Sequence, residues 1–310
     1  MSIIQNPWIK LKENINKEDY DLINKLQKEC IDNDEVALKL ELDYKLGTTN
    51  AKEGNKNIDR IDEFMYFDGD KLIGYIGVGS FGVSSAPIEV NGMVHPEYRK
   101  QGIFKKLSEL VISEWKRRNS SSMFLLSDRN SKAGQDFIKS MGVRYHHTEY
   151  EMYFKKDEQE RYMKGPSKGP CSLTFRKAKN EDAYEIARQN AIYFGEEVPE
   201  ENDKENRIFP EEEEKKGFKI YLAEKDNEIV GKIHLELSDK GGIYGLGVLP
   251  EHRRKGYARE MLMFAVNTLI KDGAEEVMLQ VDSENPNAYN LYKSFGFVDT
   301  SVMDYYEMKL

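Results

Sequence analysis

The sequence predicts a mixed α/β fold built twice in tandem, each copy a central mixed β-sheet flanked by helices. Three observations predict it. Blocks of sequence recur in the same order in the two halves of the 310-residue chain. Each half alternates short strand-like runs with amphipathic helical stretches, the pattern of a sheet covered by helices on both faces. Between the halves, a polar segment ending in Gly, Pro and Ser reads as a linker.

The repeat is clearest where VHPEYRKQGIF, from Val94, parallels VLPEHRRKGYA, from Val248. Upstream, DGDKLIGYIGV from Asp68 resembles KDNEIVGKIHL from Lys225, and NKEDYDLINKL from Asn16 resembles NEDAYEIARQN from Asn180. Downstream, RNSKAGQDFIKSMG from Arg129 parallels ENPNAYNLYKSFG from Glu284. A period of domain length indicates duplication of a whole domain, unlike the short periods of solenoids. The expected division is residues 1–160, a linker at 161–170, and residues 171–310.

The second half is read in order. A short strand at Leu173–Lys177 precedes a helix starting near Glu181, with Ala183, Ile186, Ala187 and Ala191 near helical spacing. Strands at Lys219–Glu224 and Ile229–Leu237 flank the turn Lys225–Glu228, and a Gly-rich strand follows at Gly242–Val248. The helix Tyr257–Ile270 buries Met261, Leu262, Ala265, Val266 and Leu269, and Gly273 suits its C-terminal end. After a strand at Val277–Val281, Asn285 fits as the N-cap and Pro286 as the first residue of a last helix.

Composition narrows the function. Apolar residues make up 39% and charged residues 33%, with a net charge of −9. An acidic chain lacks the basic face that nucleic acid requires, so no nucleic-acid partner is expected. No apolar run approaches the roughly 20 residues of a membrane helix, and no secretory leader is visible, so a cytoplasmic protein without membrane partners is expected. Cys30 and Cys171 lack metal spacing and read as free thiols in a reducing compartment, with no metal expected. His146 and His147 are adjacent, and strand alternation would point them to opposite faces, a poor metal pair. The oligomeric state stays open.

The segment Pro250–Ala258 joins a strand to an amphipathic helix. Such a turn aims unpaired backbone N–H groups and the positive end of the helix dipole at one spot, suited to a pyrophosphate. Gly256 leaves the backbone accessible, Ala258 keeps the helix start open, and Arg253, Arg254 and Lys255 add positive charge. The patterns of a P-loop and of a dinucleotide fold are absent. Arg253-x-x-Gly256-x-Ala258 resembles the [RQ]-x-x-G-x-[GA] signature of the GNAT acyltransferase superfamily. Asn285-x-x-Ala288-x-x-Leu291-Tyr292-x-x-x-Gly296-Phe297 resembles its second signature. The resemblance covers both halves, and the tandem arrangement is similar to that of mycothiol synthases.

The resemblance implies acetyl-CoA as co-substrate, cradled by Leu246, Val248, Arg253, Arg254, Lys255, Gly256, Tyr257 and Ala258, with Asn285, Asn287, Ala288 and Tyr292 along the pantetheine arm. It implies direct attack of an amine, from a small molecule or peptide, on the thioester, with Tyr292 protonating the departing thiolate. A phenol is neutral at pH 7 and can donate. A backbone N–H near Val248 would stabilise the oxyanion. The carboxylate that several relatives carry early on the Gly-rich strand is missing from Gly241–Gly245. Glu236 and His234, which share one face of the preceding strand, are the candidate bases. Another acyl-CoA donor, and a non-catalytic coenzyme A-binding regulatory module, are the alternatives.

The first half is altered. Val94, Arg99, Lys100, Gln101 and Gly102 keep the turn and are expected to hold coenzyme A, but Phe104 stands where the signature has Gly or Ala. Asn130-x-x-Ala133-x-x-x-Phe137 replaces the tyrosine, and a phenylalanine cannot donate a proton. Glu89 could serve as a base. This half is expected to be diverged and non-catalytic. The acidic stretch Glu196–Glu214 reads as a solvated face or as a rim attracting a cationic amine.

Overall fold

The computed structural model describes residues 2–50, 59–80, 86–156, 172–201, 207–237 and 240–309. The expected linker 161–170 and Cys171 lie outside them. The chain divides into two compact units, Met1–Glu149 with Ser301–Leu310, and Tyr150–Thr300. This differs from the contiguous 1–160 and 171–310 division that the repeat suggests. The chain's last ten residues belong to the first unit, because a strand joins whichever sheet edge satisfies its backbone N–H and C=O groups.

In unit 1, β1 (Pro7–Lys12), β2 (Glu63–Asp68), β3 (Lys71–Ser80) and β4 (Ile88–Val94) form consecutive antiparallel pairs. β4 then runs parallel to β5 (Ser122–Asp128) over Ile88–Val90 against Met123–Leu125. Helix α1 (Lys17–Asp34) starts at a capping box, in which Asn16 accepts from the Asp19 N–H and Asp19 from the Asn16 N–H. It buries Ile23 and Leu26 on one side of the sheet, against Met65 and Tyr75. Helix α2 (Leu42–Asn50) follows, and α3 (Ile103–Trp115) and α4 (Lys132–Ser140) come later in the chain. Leu107 and Trp115 of α3 pack with Ile73, Ile76 and Val90 in a separate core cluster.

Strand β6 (Arg144–Lys155) crosses the boundary between the units, so Tyr150–Lys155 open unit 2. There follow β7 (Thr174–Lys177), α5 (Ala183–Phe194), α6 (Pro210–Lys215), β8 (Phe218–Lys225), β9 (Glu228–Glu236), β10 (Lys240–Val248), α7 (Tyr257–Lys271), β11 (Glu276–Asp282) and α8 (Pro286–Phe295). The sheet order is β6-β11-β10-β9-β8-β7. Every element expected for this half is present within a few residues. Two were not foreseen: the acidic run folds in part as α6, and β12 (Val298–Lys309) ends the chain. Residues Met303–Lys309 of β12 pair antiparallel with Asp128–Ser122 of β5, within unit 1. Asp304 there accepts from Arg129 and Thr148, anchoring the strand by side chains as well.

His146 and His147 depart from the alternation expected of them. Their Nδ1 atoms are 2.8 Å apart and their ring centroids 5.0 Å. Alternation sets the direction of each Cβ, but rotation about the side-chain bonds brings two long rings together.

Removing residues 301–310 should strip β5 of its antiparallel partner. Hydrogen exchange should then show lost protection at Ser122–Asp128, while Lys240–Val248 of unit 2 keep theirs. Loss of equal size in both segments would contradict the assignment of β12 to unit 1.

Candidate active site

The site of unit 2 begins with a split in its sheet. The parallel ladder between β10 and β11 covers Lys240–Ile243 against Glu276–Leu279, although β10 continues to Val248. A bulge between Tyr244 and Gly247, with Gly245 at φ 52°, bends β10 as the ladder ends. The far half of β10 therefore carries backbone groups toward the split without a ladder partner in β11. Leu246 is half-buried beside this bulge and Val248 is buried in the core.

The chain leaves Val248 through a short 3-10 turn, Pro250–His252, and then adopts a left-handed backbone twice, at Arg254 (φ 63°) and Gly256 (φ 88°). Gly256 is the N-cap of α7, and no side chain caps that helix. Uncapped N–H groups of Tyr257 and Ala258 thus remain at the positive end of the helix dipole, free for an anion. Arg253 plays a different part from the one its charge suggested. Its Nε donates to the Val248 carbonyl at 3.0 Å and closes the turn. Arg254 and Lys255 are exposed beside it and supply the open positive charge.

On α8, Asn285 accepts from the Ala288 N–H at 3.1 Å, so its side-chain carbonyl is occupied in capping the helix. Asn287 is exposed, and Ala288 is half-buried against the core. Tyr292 is buried in the main core cluster, and burial pushes its phenol up to about 12. Among the described residues its hydroxyl has no hydrogen-bond partner. At neutral pH it is a protonated donor.

The candidate bases lie on β9, with Ile233 and Leu235 fully buried on the opposite face. Glu236 accepts from the Tyr244 hydroxyl at 2.9 Å. His234 is pushed down to about 3 by burial and by neighbouring Lys232. Lys232 itself is fully buried, and burial pushes its amine down to about 7. Sequence reasoning missed it. The available signal was a lysine two residues before His234, on the same strand face. Tyr193 of α5 was missed too. Its ring lies so close over Gly247 that a Cβ there would sit 2.2 Å from it.

Unit 1 repeats the geometry. Lys100 and Gly102 take φ values of 60° and 79°, Gly102 caps α3 without a side-chain bond, and Arg99 Nε donates to Val94 O at 3.0 Å. Here the arginine is committed further, donating to both carboxylate oxygens of Asp34 at 2.8 and 2.6 Å. Gln101 donates to the Ser2 carbonyl. Phe104 and Phe137 meet edge to face at 4.8 Å, so the two departures from the signature form one aromatic pair. They do not close the site. A cavity of about 410 Å³ runs from Arg99 and Gly102 past Phe104 and Phe137 to Met123. Glu89 lines a second cavity of about 230 Å³ that shares Asn91 and Leu126 with the first. Burial raises the Glu89 carboxyl, and nearby Lys39 opposes that shift.

A split sheet feeding a left-handed turn and an uncapped helix is made twice in the chain. Residues 181–297 match the acetyltransferase (GNAT) family. Mycothiol acetyltransferase of Kocuria rhizophila is 36% identical over 90 residues, 26% of this chain and 30% of that protein. Its counterpart from Acidimicrobium ferrooxidans is 24% identical over 242 residues, 74% of this chain and 76% of that protein. The chain therefore spans less than a third of the first of these relatives and about three quarters of the second. A GCN5-related N-acetyltransferase from Sphaerobacter thermophilus superposes with a TM-score of 0.75, at 17% identity, over 98% of this chain and 95% of that one. A tandem GNAT protein from the clavulanic acid biosynthesis pathway does so with a TM-score of 0.69, at 10% identity, over 98% of each chain. Residues 181–297 thus carry the match to the acetyltransferase (GNAT) family, and the chain has the fold of tandem GNAT proteins. Among the described residues no group of three or more candidate metal ligands occurs, and no helix is long and apolar enough to cross a membrane.

The two arginines should separate in a stability experiment. Arg99→Ala should destabilise unit 1 by about 1–2 kcal/mol in urea unfolding, through loss of charge-assisted hydrogen bonds to a half-buried carboxylate. Arg253→Ala, which loses one bond to a carbonyl, should cost less. Arg99 holds the Asp34 carboxyl below its usual 3.8. The Asp34 contribution is therefore present above pH 3.8 and is lost as pH falls through the lower folded value. Equal costs for both variants at pH 7 would show that the Asp34 pair adds nothing.

Proposed function

We propose that the chain is a cytoplasmic, acetyl-CoA-dependent N-acetyltransferase that acetylates a primary amine of a small molecule or peptide, with unit 2 as the catalytic unit. The observation that carries the reading is the left-handed turn at Arg254 and Gly256, which brings an uncapped helix N-terminus to the open end of β10. Backbone N–H groups there suit a pyrophosphate better than any side chain could, because they need no reorganisation to meet it. The names of the relatives support an acetyl group and leave the acceptor as an amine of unassigned identity.

Bound at this turn, acetyl-CoA supplies the thioester carbonyl that the amine attacks. Arg253 keeps the turn closed, and Arg254 and Lys255 balance phosphate charge. The stretch of β10 around Val248, paired to β9 but not to β11, offers N–H groups on its open side to the carbonyl oxygen as it gains negative charge. On β9, His234 and Glu236 are the groups positioned to receive the proton of the amine. Tyr292, protonated and without a hydrogen-bond partner among the described residues, donates to the departing thiolate.

In unit 1 the cavity beside Arg99 and Gly102 favours a second reading for that half, a coenzyme A site in which Phe137 leaves no phenol to complete the transfer. In that reading the cavity of about 410 Å³ would take the pantetheine part, with the phosphates outside at the turn.

Tyr292→Phe should lower turnover by about tenfold to a thousandfold and leave acetyl-CoA affinity within a few-fold. Unchanged turnover would show that Tyr292 is structural.

Gly256→Glu should abolish acetyl transfer, since a carboxylate would stand beside the phosphates on a backbone that side chains disfavour. Gly102→Glu should leave most transfer intact while weakening stabilisation by coenzyme A in thermal melts. The reverse pattern, in well-folded proteins, would move the active site to unit 1. Coenzyme A binding without transfer to any of a panel of amines would favour a regulatory module. Transfer only from a longer acyl donor would change the co-substrate.

A further inference from the structure

Lys232 is a basic side chain sealed inside unit 2, and the described residues around it give it no counter-charge. It is 0% exposed. Its Nζ lies 3.2 Å from His234 Nε2, 3.3 Å from the Gly245 carbonyl oxygen, to which it donates, and 5.5 Å from the centre of the Tyr193 ring. Across the sheet, its neighbours on β8 are apolar. Leu222 stands opposite Lys232 and Ile220 opposite His234. From α5, the groups on this side are Tyr193, whose hydroxyl donates to Gln189, and Glu185, which accepts from Gln189 and Arg188. From β10 come the Gly245 carbonyl and Tyr244, whose hydroxyl is given to Glu236 of β9. Among the described residues no carboxylate pairs with Lys232.

A methionine would fill the same volume without the cost of burying an ammonium, which is large when no counter-charge is near. The amine also stands at a particular place. Gly245 is the bulge residue at which β10 parts from β11, and Lys232 faces Gly247 across the β9–β10 ladder. A buried amine hydrogen-bonded to an imidazole, at the mouth of a split sheet, has the geometry of a proton relay.

We propose that Lys232 is a positioning residue that makes His234 an effective base toward the acceptor amine. The proposal rests on the reading of unit 2 as the acyl-transfer site. In the step, the acceptor ammonium gives one proton to His234 Nδ1. His234 passes the proton on its Nε2 to the neutral Lys232 amine, which becomes an ammonium hydrogen-bonded to Nε2 and to the Gly245 carbonyl. The acceptor is left with the lone pair that attacks the thioester. After product leaves, the proton returns along the same path to solvent. His234, pushed down to about 3 by burial and by the charge of Lys232, is a weak acceptor near neutrality unless its Nε2 proton can pass on to a neutral Lys232. Lys232, pushed down to about 7, is neutral in a large fraction of molecules there.

The test compares wild type with Lys232→Met and His234→Gln, by kcat/KM against pH for one amine and by thermal melts without substrate. Wild type should gain activity through a limb near pH 7. Both variants should lose that limb and fall about 10²-fold in turnover, with acetyl-CoA affinity unchanged. The melts give a readout independent of catalysis. The unfolded lysine holds a proton that the folded one has lost between about pH 7 and the ordinary lysine value of 10.5. Wild type should therefore gain stability relative to Lys232→Met as pH rises through that window. Parallel melting curves for the two proteins, or a drop in activity of equal size at every pH with the limb retained, would overturn the proposal. Failure of wild type to acetylate any amine would instead overturn the reading of unit 2, and the melts would still decide the state of Lys232.

Discussion

Each unit depends on a backbone conflict at the end of a parallel ladder. Two neighbouring strands stop pairing while one of them runs on, leaving N–H and C=O groups that must find other partners. In unit 2 the ladder ends at Ile243 and Leu279, and in unit 1 at Val90 and Leu125. The chain then makes the same left-handed turn, at Arg254 and Gly256 or at Lys100 and Gly102, and starts a helix that no side chain caps. Burying such a helix end without a partner would be costly, and an open helix start of this kind is one that suits an anionic group. The arginine that precedes each turn keeps it in shape by binding the carbonyl of the strand's last residue.

Around that shared frame the units diverge through side chains. Unit 2 keeps small Ala258 and places Tyr292 in its core cluster, where its hydroxyl has no hydrogen-bond partner among the described residues. Unit 1 puts two phenylalanines at the corresponding positions, and they pack on each other. The exchange substitutes an aromatic contact for a phenol hydroxyl. The two cavities of unit 1 meet at Asn91 and Leu126, so the phenylalanine pair does not fill the space beside it.

The inward face of β9 carries the least expected chemistry. Lys232, His234 and Glu236 alternate with fully buried apolar residues, so they share the face covered by α5. Desolvation lowers both basic groups, and the lysine adds to the effect on the histidine. Glu236, further along, is engaged by Tyr244. A single strand thus grades from a buried amine to a half-exposed carboxylate across the opening of the sheet.

The sequence by itself determined the kinds and order of elements in unit 2, the glycine that makes the turn, and the cap at Asn285. These depend on periodicity, backbone freedom and short-range hydrogen bonds within a few residues. Only the tertiary structure decided which sheet takes the last strand, since β12 pairs by backbone groups that every residue carries alike. It also decided that Phe104 and Phe137 meet, that Arg99 is pinned by Asp34, and that Lys232 loses its solvent beside His234. Proton affinity and packing are set by neighbours from distant parts of the chain, and no local pattern records how closely those neighbours approach.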